Sequence, residues 1–397
     1  METEEKLLEN AQDIRAWIID LRREIHRRPE LSYHENETAS FIATHLAELG
    51  LEVTEGVGGN GVIGLLRGSS PGKTVALRAD IDALPINERN DIPYKSIFNG
   101  RMHACGHDGH TAILLGAAKL LTSLKGNLHG NVKFFFQPAE ESPPEGGAKG
   151  MIADKALENP DVDAVFGLHI WPDLPSGYVG LMAGPIMAAP DRMSIAIKGE
   201  GGHGAAPHQS HDTIVTSARV ILALQTLVSR KINPLKPAVL SICKMNAGSA
   251  YNILPDVVRL EGTTRYFDND TGAFIEDQIQ HIIETICASS GCSYELNYQY
   301  GYPPTVNNPE MTALVEQAAG QVLGEQQVIR LEEPSMTGED FSYFLQEKPG
   351  CFFWLGTRNT EKDIVHPLHS ARFQIDEDIL PLGTSVMTNI VLKFLRQ

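Results

Sequence analysis

Apolar residues at Leu7, Ala11, Ile14, Ile18, Leu21 and Ile25 recur at helical spacing, which predicts an amphipathic helix that ends before Pro29. A second helix is predicted from about Glu37 to Leu49, stopped by Gly50. Apolar runs of strand length follow at Gly61–Arg67, Thr74–Ala79, Val132–Phe136 and Ala164–His169, with a helix over Thr111–Leu124 between the second and third. Strands alternating with helices predict an α/β fold with a mainly parallel sheet, in which functional groups collect at strand ends and in the loops that follow. From Arg192 the rhythm changes to strand (Met193–Lys198), helix (Asp212–Lys231), strand (Ala238–Met245), strand (Val257–Phe267), helix (Thr271–Ser289) and strand (Ser293–Tyr300). That βαββαβ order is ferredoxin-like. Helix and strand then alternate again, at Glu310–Leu323 and Cys351–Leu355. The predicted organisation is a catalytic domain in two segments, 1–187 and 301–397, carrying an inserted α+β domain over 188–300.

Length supports this reading, since 397 residues exceed one ordinary core. The formal charge of −17 disfavours a nucleic-acid partner, because no basic excess exists to neutralise phosphates. The N-terminal stretch is charged throughout and lacks the apolar core of a secretory signal. The longest apolar stretches, such as Thr111–Leu121, fall far short of a membrane span. The expectation is a soluble cytoplasmic protein without a membrane partner. Five scattered cysteines (Cys105, Cys243, Cys287, Cys292, Cys351) argue against a disulfide framework and for a reducing compartment.

The densest chemical signal is His103-Ala-Cys105-Gly-His107-Asp108-Gly-His110. Thiolate, imidazole and carboxylate are the usual ligands of zinc and its neighbours, and Gly106 and Gly109 let the backbone turn them toward one point. The competing reading is a histidine-rich surface loop with a buried cysteine. Gln137-Pro-Ala-Glu140-Glu141 follows an apolar strand that Pro138 ends, so one carboxylate can ligate while its neighbour acts as a base; taken alone it also fits a solvated acidic turn. His169 closes the run Ala164–His169, and His366-Pro-Leu-His369 follows Cys351–Leu355; each in isolation is equally consistent with a core or solvated histidine. Asp80-Ile-Asp82 sits where a strand ends, well placed to orient a ligand imidazole. Gly199-Glu-Gly201-Gly-His-Gly204 fits G-x-G-x-x-G, but no helix starts at once and no acid follows at the required distance, so a dinucleotide site is rejected.

In this order, these pieces resemble the M20 family of metallopeptidases. They look most like its amidohydrolase subgroup, the N-acyl-L-amino acid, hippurate and auxin-conjugate hydrolases. The matching strings are His26-Arg-Arg-Pro-Glu-Leu-Ser32, Arg78-Ala-Asp-Ile-Asp-Ala-Leu-Pro85, the Cys105 cluster, Gln137–Glu141, Gly167-Leu-His169, Gly201–His208, Asn252-Ile-Leu-Pro-Asp256, Thr337-Gly-Glu-Asp-Phe341 and His369-Ser370. The resemblance implies two divalent metal ions per chain. Cys105 would bridge them, His107 and His169 completing one and Glu141 and His369 the other. It implies Glu140 as general base, Asp82 as the residue that orients a metal-site group, and His203 as an oxyanion donor, with Asn252 and Arg265 touching substrate.

It also implies that the inserted domain is a lid that makes a homodimer or homotetramer contact. Many relatives have Asp where Cys105 stands and His where Asp80 stands; a softer thiolate bridge leaves zinc, manganese, cobalt and nickel all eligible. The segment Tyr300-Gly-Tyr302-Pro lacks an Arg with which some peptidase relatives grip a terminal carboxylate. The implied reaction is hydrolysis of the amide of an N-acyl amino acid, of the aminoacylase or hippuricase type. The alternatives are an N-acetyl-diaminopimelate deacetylase, a small dipeptidase of the same family and, remotely, a metal-free cysteine amidase using Cys105.

Overall fold

The computed structural model describes residues 6–397. Two compact units are present, one formed by 1–186, 306–333 and 340–397, the other by 187–305 and 334–339. Among the described residues no helix is long and apolar enough to cross a membrane.

The first unit is built on an eight-stranded mixed sheet. Its strands are β1 (Glu52–Val57), β2 (Gly61–Arg67), β3 (Ser70–Asp80), β4 (His129–Gln137), β5 (Ala164–Pro175), β6 (Val179–Leu181), β7 (Val328–Arg330) and β8 (Gly350–Arg358), in the spatial order β1-β2-β4-β3-β5-β8-β6-β7. The central pairs β4/β3, β3/β5 and β5/β8 are parallel, as is β6/β7, whereas β1/β2, β2/β4 and β8/β6 are antiparallel. The central strands read as continuous apolar runs because both faces are covered, so Phe134, Phe136, Phe166 and Phe353 are fully buried. The covering helices include α1 (Arg15–Arg27), α2 (Asn36–Glu48), α3 (His107–Ser123), α4 (Pro309–Leu323) and α5 (Ile379–Phe394). Helix α3 packs on β3 between α1 and α5. Its close approach to α5 needs Gly116, where a Cβ would stand 2.7 Å from Thr384 Oγ1.

Several predicted elements differ in extent. The opening helix is interrupted at Ile14, giving Leu7–Asp13 and then α1. Helix α3 begins at His107, because Gly106 takes a left-handed φ of 93° and turns the chain straight into it. Strand β5 continues to Pro175, so His169 lies within the strand instead of ending it.

The second unit pairs its strands Ala189–Lys198, Val239–Ala247, Val257–Tyr266 and Ser293–Gln299 in the order fourth-first-third-second, all antiparallel. With the helices Thr213–Thr226 and Asn269–Ser289 this is the ferredoxin-like arrangement. Asp212 caps the first helix by accepting from Ile214 N and Val215 N, and Asp268 caps the second by accepting from Thr271 N. The predicted helix to Lys231 changes at Leu227 into a π-helical turn. A core of Ile195, Ile197, Val220, Leu224, Leu260, Ile279 and Ile283 lies between sheet and helices.

Candidate metal centre

The carboxyl end of β3, the loop after β4 and the middle of β5 converge on the first turn of α3. Strand β3 delivers Asp80 and, two residues on, Asp82; both are buried. Asp82 is a distributor. Its Oδ1 accepts from His107 Nδ1 at 3.2 Å, with the Asp82 carbonyl also 2.9 Å from that nitrogen. Its Oδ2 accepts from Ser32 Oγ at 2.7 Å and from Glu141 N at 3.0 Å. One carboxylate therefore fixes the ring of His107, with Nε2 left as its outward nitrogen, and the peptide that carries Glu141.

After β4, Pro138 ends the ladder and Ala139 adopts φ 54°, a left-handed conformation steadied by Ala139 N donating to Glu35 Oε1 at 2.8 Å. That kink lets the consecutive residues Glu140 and Glu141 serve one site, which a regular strand would forbid. Ligand-type atoms of His107, Glu140 and Glu141 lie within 4.8 Å of one another. His369 is also left-handed, φ 61°, and its N–H donates to Ala104 O at 2.8 Å, which hitches it beside Cys105.

Two donor groups result, each with ligand atoms mutually within 4.8 Å: Cys105, His107 and His169, and Cys105, Glu141 and His369. Cys105 belongs to both. Its Sγ is 3.4 Å from His169 Nε2, and His369 Nε2 is 3.1 Å from Glu141 Oε1. His169 Nδ1 donates to Ile170 O at 2.8 Å, which leaves Nε2 as the nitrogen able to ligate. His107 Nε2 and Glu141 Oε1 are buried and make no hydrogen bond, although Asp80 Oδ2 lies 3.5 Å from the first and His369 Nε2 3.1 Å from the second. Buried polar atoms in that condition cost about 1–3 kcal/mol each. A borderline-soft divalent cation in each group meets that deficit with the sulfur, nitrogen and oxygen donors it prefers, so the residues fit a two-cation centre.

The electrostatics point the same way. Burial pushes the Cys105 thiol well above its ordinary value, and the carboxylates of Glu141 and Glu140 push it further. Burial opposes charge on His107, yet Asp80 and Asp82 outweigh it and push the ring up to about 10. Burial, aided by nearby His110, holds His169 well below its usual value. The cavity is thus rich in negative charge, and in its protonated form it stores protons that a cation would displace.

The other members of the cluster go elsewhere. Asp108 turns away to accept from Arg22 Nε at 2.7 Å and to pair with His26 Nδ1 at 2.8 Å. His110 pairs with Asp80 at 2.6 Å. His103 is buried, neither ring nitrogen has a partner, and burial lowers it to about 4. In the second unit, His203 lies in a two-residue strand paired with Ile253, and Gly204 N donates to Asn252 O, so His203 and Asn252 are neighbours and both exposed. Arg265 is not part of that pair; it is half-buried on Val257–Tyr266 and donates to Met336 O at 3.0 Å.

Some supporting residues carry no motif of their own. Ser32 and Glu35 act at the site as described. Arg78 binds Asp80 Oδ2 at 2.8 Å and Asp340 Oδ1 at 2.9 Å, and Asp340 also accepts from Gln137 Nε2, Gly147 N and Ala148 N. The available signal was membership of Ser32, Arg78 and Asp340 in the quoted strings; the pairings join residues too far apart in the chain to read.

Residues 76–393 match the pattern of peptidase family M20/M25/M40. The chain is 44% identical to thermostable carboxypeptidase 2 of Saccharolobus solfataricus, over 99% of each chain. It is 43% identical to an N-acyl-L-amino acid amidohydrolase of Geobacillus stearothermophilus, over 78% of this chain and 82% of that one. Its fold matches the crystal structure of the Bacillus subtilis YXEP protein, a dinuclear metal binding peptidase from the M20 family, with a TM-score of 0.84 at 34% identity, covering 97% and 99% of the two chains.

Proposed function

The chain belongs to peptidase family M20/M25/M40 and is a hydrolase, and from that premise we propose that it hydrolyses the amide bond of N-acyl amino acids with two divalent cations. The observation that carries this reading is the double membership of Cys105 in two donor groups that also use His107, Glu141, His169 and His369. Cys105 would bridge the cations, His107 and His169 would complete one, and Glu141 and His369 the other. Such cations lower the pKa of a bound water and polarise a carbonyl.

The remaining chemistry falls to side chains. Glu140, buried next to Glu141, accepts the proton of the attacking water at its carboxylate and passes it to the leaving amine nitrogen. Asp82 keeps Glu140 aimed, because it holds the neighbouring peptide N–H of Glu141. In the inserted unit we assign His203 as the donor to the developing oxyanion, a contribution of about 3–4 kcal/mol for one well-placed donor, and Asn252 and Arg265 as substrate contacts. The same unit serves as lid and as the contact of a homodimer or homotetramer, in a cytoplasmic enzyme.

The carboxypeptidase relative supports a second reading that differs less than its name implies. The C-terminal residue of a peptide and an N-acyl amino acid present the same group, an amide whose amine side bears an α-carboxylate. What separates them is the acyl side, which carries a charged α-amine in a free dipeptide, a further peptide amide in a longer peptide and neither in a simple N-acyl amino acid. A metal-free cysteine amidase is disfavoured, since its buried Cys105 is held as the thiol, and Glu141 and His369 would have no task. The test is metal content by elemental analysis, with amine release from N-acetyl, N-benzoyl and N-indoleacetyl amino acids, N-acetyl-diaminopimelate and free dipeptides, before and after chelation. Near two metals per chain, with chelation abolishing activity and zinc, manganese, cobalt or nickel restoring it, is expected. Full activity in metal-free protein would overturn the reading. Glu140→Gln should lower kcat by roughly 10²- to 10⁴-fold with both metals retained; near-normal turnover would reject Glu140 as base.

A further inference from the structure

His110 and Asp80 are buried beside the metal ligands, and neither has a place in the mechanism above. With His107 they form a third group of ligand-type atoms within 4.8 Å, which on spacing alone is another metal site. The hydrogen bonds say otherwise. Ile170 N donates to His110 Nε2 at 2.8 Å. A peptide N–H is always a donor, so Nε2 accepts and its lone pair is used. The ring proton must then sit on Nδ1, which faces Asp80 Oδ1 at 2.6 Å. No nitrogen of His110 is left to ligate. Asp80 is equally engaged, one oxygen by His110 and the other by Arg78.

The other end of this chain of bonds is a ligand. Strand β5 pairs with β3 only from Ala164 to Gly167, opposite Val75 to Arg78. Three residues beyond the end of that ladder, Ile170 presents its N–H where β3 no longer offers an acceptor, and His110 takes it. The carbonyl of the same Ile170 receives Nδ1–H of His169 and so directs His169 Nε2 toward Cys105 Sγ at 3.4 Å. We propose that His110, held by Asp80 and Arg78, is a positioning residue that extends the β3–β5 ladder by one imidazole, fixes the backbone at Ile170 through its N–H, and thereby holds the following carbonyl that sets the tautomer and aim of His169 and the affinity of the Cys105/His107/His169 site. This rests on the two-cation reading.

The experiment uses full-length protein stripped of metal, titrated with zinc against a chromophoric chelator, with apo melting temperature measured in parallel. Removal of such an outer partner typically weakens a metal site roughly 10- to 100-fold. His110→Phe should lose that much at one of two sites and leave the other unchanged. His110→Gln, which keeps an acceptor near the Nε2 position, should recover most of the loss. A lower apo melting temperature with unchanged zinc affinities would make His110 merely structural and overturn the proposal. Loss of one whole metal equivalent in both variants would make it a ligand and overturn it too. Wild-type protein that binds no zinc would instead overturn the two-cation reading. If His110→Phe does not fold, histidine ¹⁵N shifts of the wild type decide. The Nδ1–H tautomer of His110 in both empty and zinc-loaded protein is expected, and a zinc-induced shift typical of direct coordination at its Nε2 refutes it.

Discussion

Filling the Cys105 cluster should release protons, and the number follows from the side chains. In the empty site, burial and the two glutamates keep Cys105 as a thiol well above its ordinary range. Burial acts against a charged His107, but Asp80 and Asp82 prevail and push it up to about 10. Both groups hold their protons at neutral pH. The His107 proton at stake is on Nε2, 3.5 Å from Asp80 Oδ2, since the Nδ1 proton stays with Asp82. His169 is held low and releases none. Loading two cations should therefore displace about two protons. The sign is fixed: groups whose values lie above the working pH oppose loading, so affinity rises with pH. Two displaced protons change the product of the two binding constants by about 100-fold per pH unit, or roughly 2.7 kcal/mol. Titration calorimetry of stripped protein with zinc, repeated in buffers of different protonation enthalpy, counts the protons directly. Asp80→Asn removes the strongest charge supporting His107 and should bring the count toward one. Tight loading with no proton release, or affinities flat across neutral pH, would refute the assigned protonation of both ligands.

Arg78→Met would leave Asp80 and Asp340 buried without their shared cation and should cost about 3–5 kcal/mol in urea unfolding; an unchanged midpoint would contradict the pairing. Gly116→Ala puts a methyl 2.7 Å from Thr384 Oγ1, so overpacking of about 1–3 kcal/mol should exceed the helical gain of about 1 kcal/mol, and a rise in melting temperature would mean that α3 and α5 are less tightly apposed. Burial alone would raise Asp108, but Arg22 and His26 hold it well below the usual carboxylate range. Its folded value is depressed, so its contribution is present above about pH 4 and is lost as pH falls toward that folded value. Asp108→Asn should therefore be the less stable protein at pH near 6 and show a flatter acid limb in denaturant midpoints; parallel acid limbs would rule this out.

The central sheet of the first unit was legible because β2 to β5 and β8 are apolar runs bounded by polar turns, and the order of strands and helices in the second unit followed the same rules. Strand β1 was not, since Glu52-Val-Thr-Glu-Gly-Val is a mostly exposed edge with no apolar run to mark it. The first turn of α3 was hidden for the opposite reason. His107, Asp108 and His110 are buried polar residues that break the apolar period, and only their partners at Asp80, Asp82, Arg22 and His26 make that burial tolerable. The same distinction holds at the site. That Cys105, His107, Glu141, His169 and His369 lie together follows residues quoted from the chain, whereas the roles of Ser32, Arg78 and His110 depend on contacts between distant segments. Spacing also could not divide the His103–His110 cluster into groups facing the centre and groups turned away.

The first unit is made from three stretches of chain, with most of the second unit spliced between the first two and its short segment 334–339 between the last two. Cys105, His107, Glu141 and His169 come from the first of these stretches and His369 from the last. A cation held by Glu141 and His369 is consequently a tie across a very long loop, and closing long loops is where a cross-link restrains the unfolded chain most. Occupancy should then be visible far from any reaction. The segment around His369, hitched otherwise by its N–H to Ala104 O, should resist proteolysis when the tie is made and yield first when a chelator removes it.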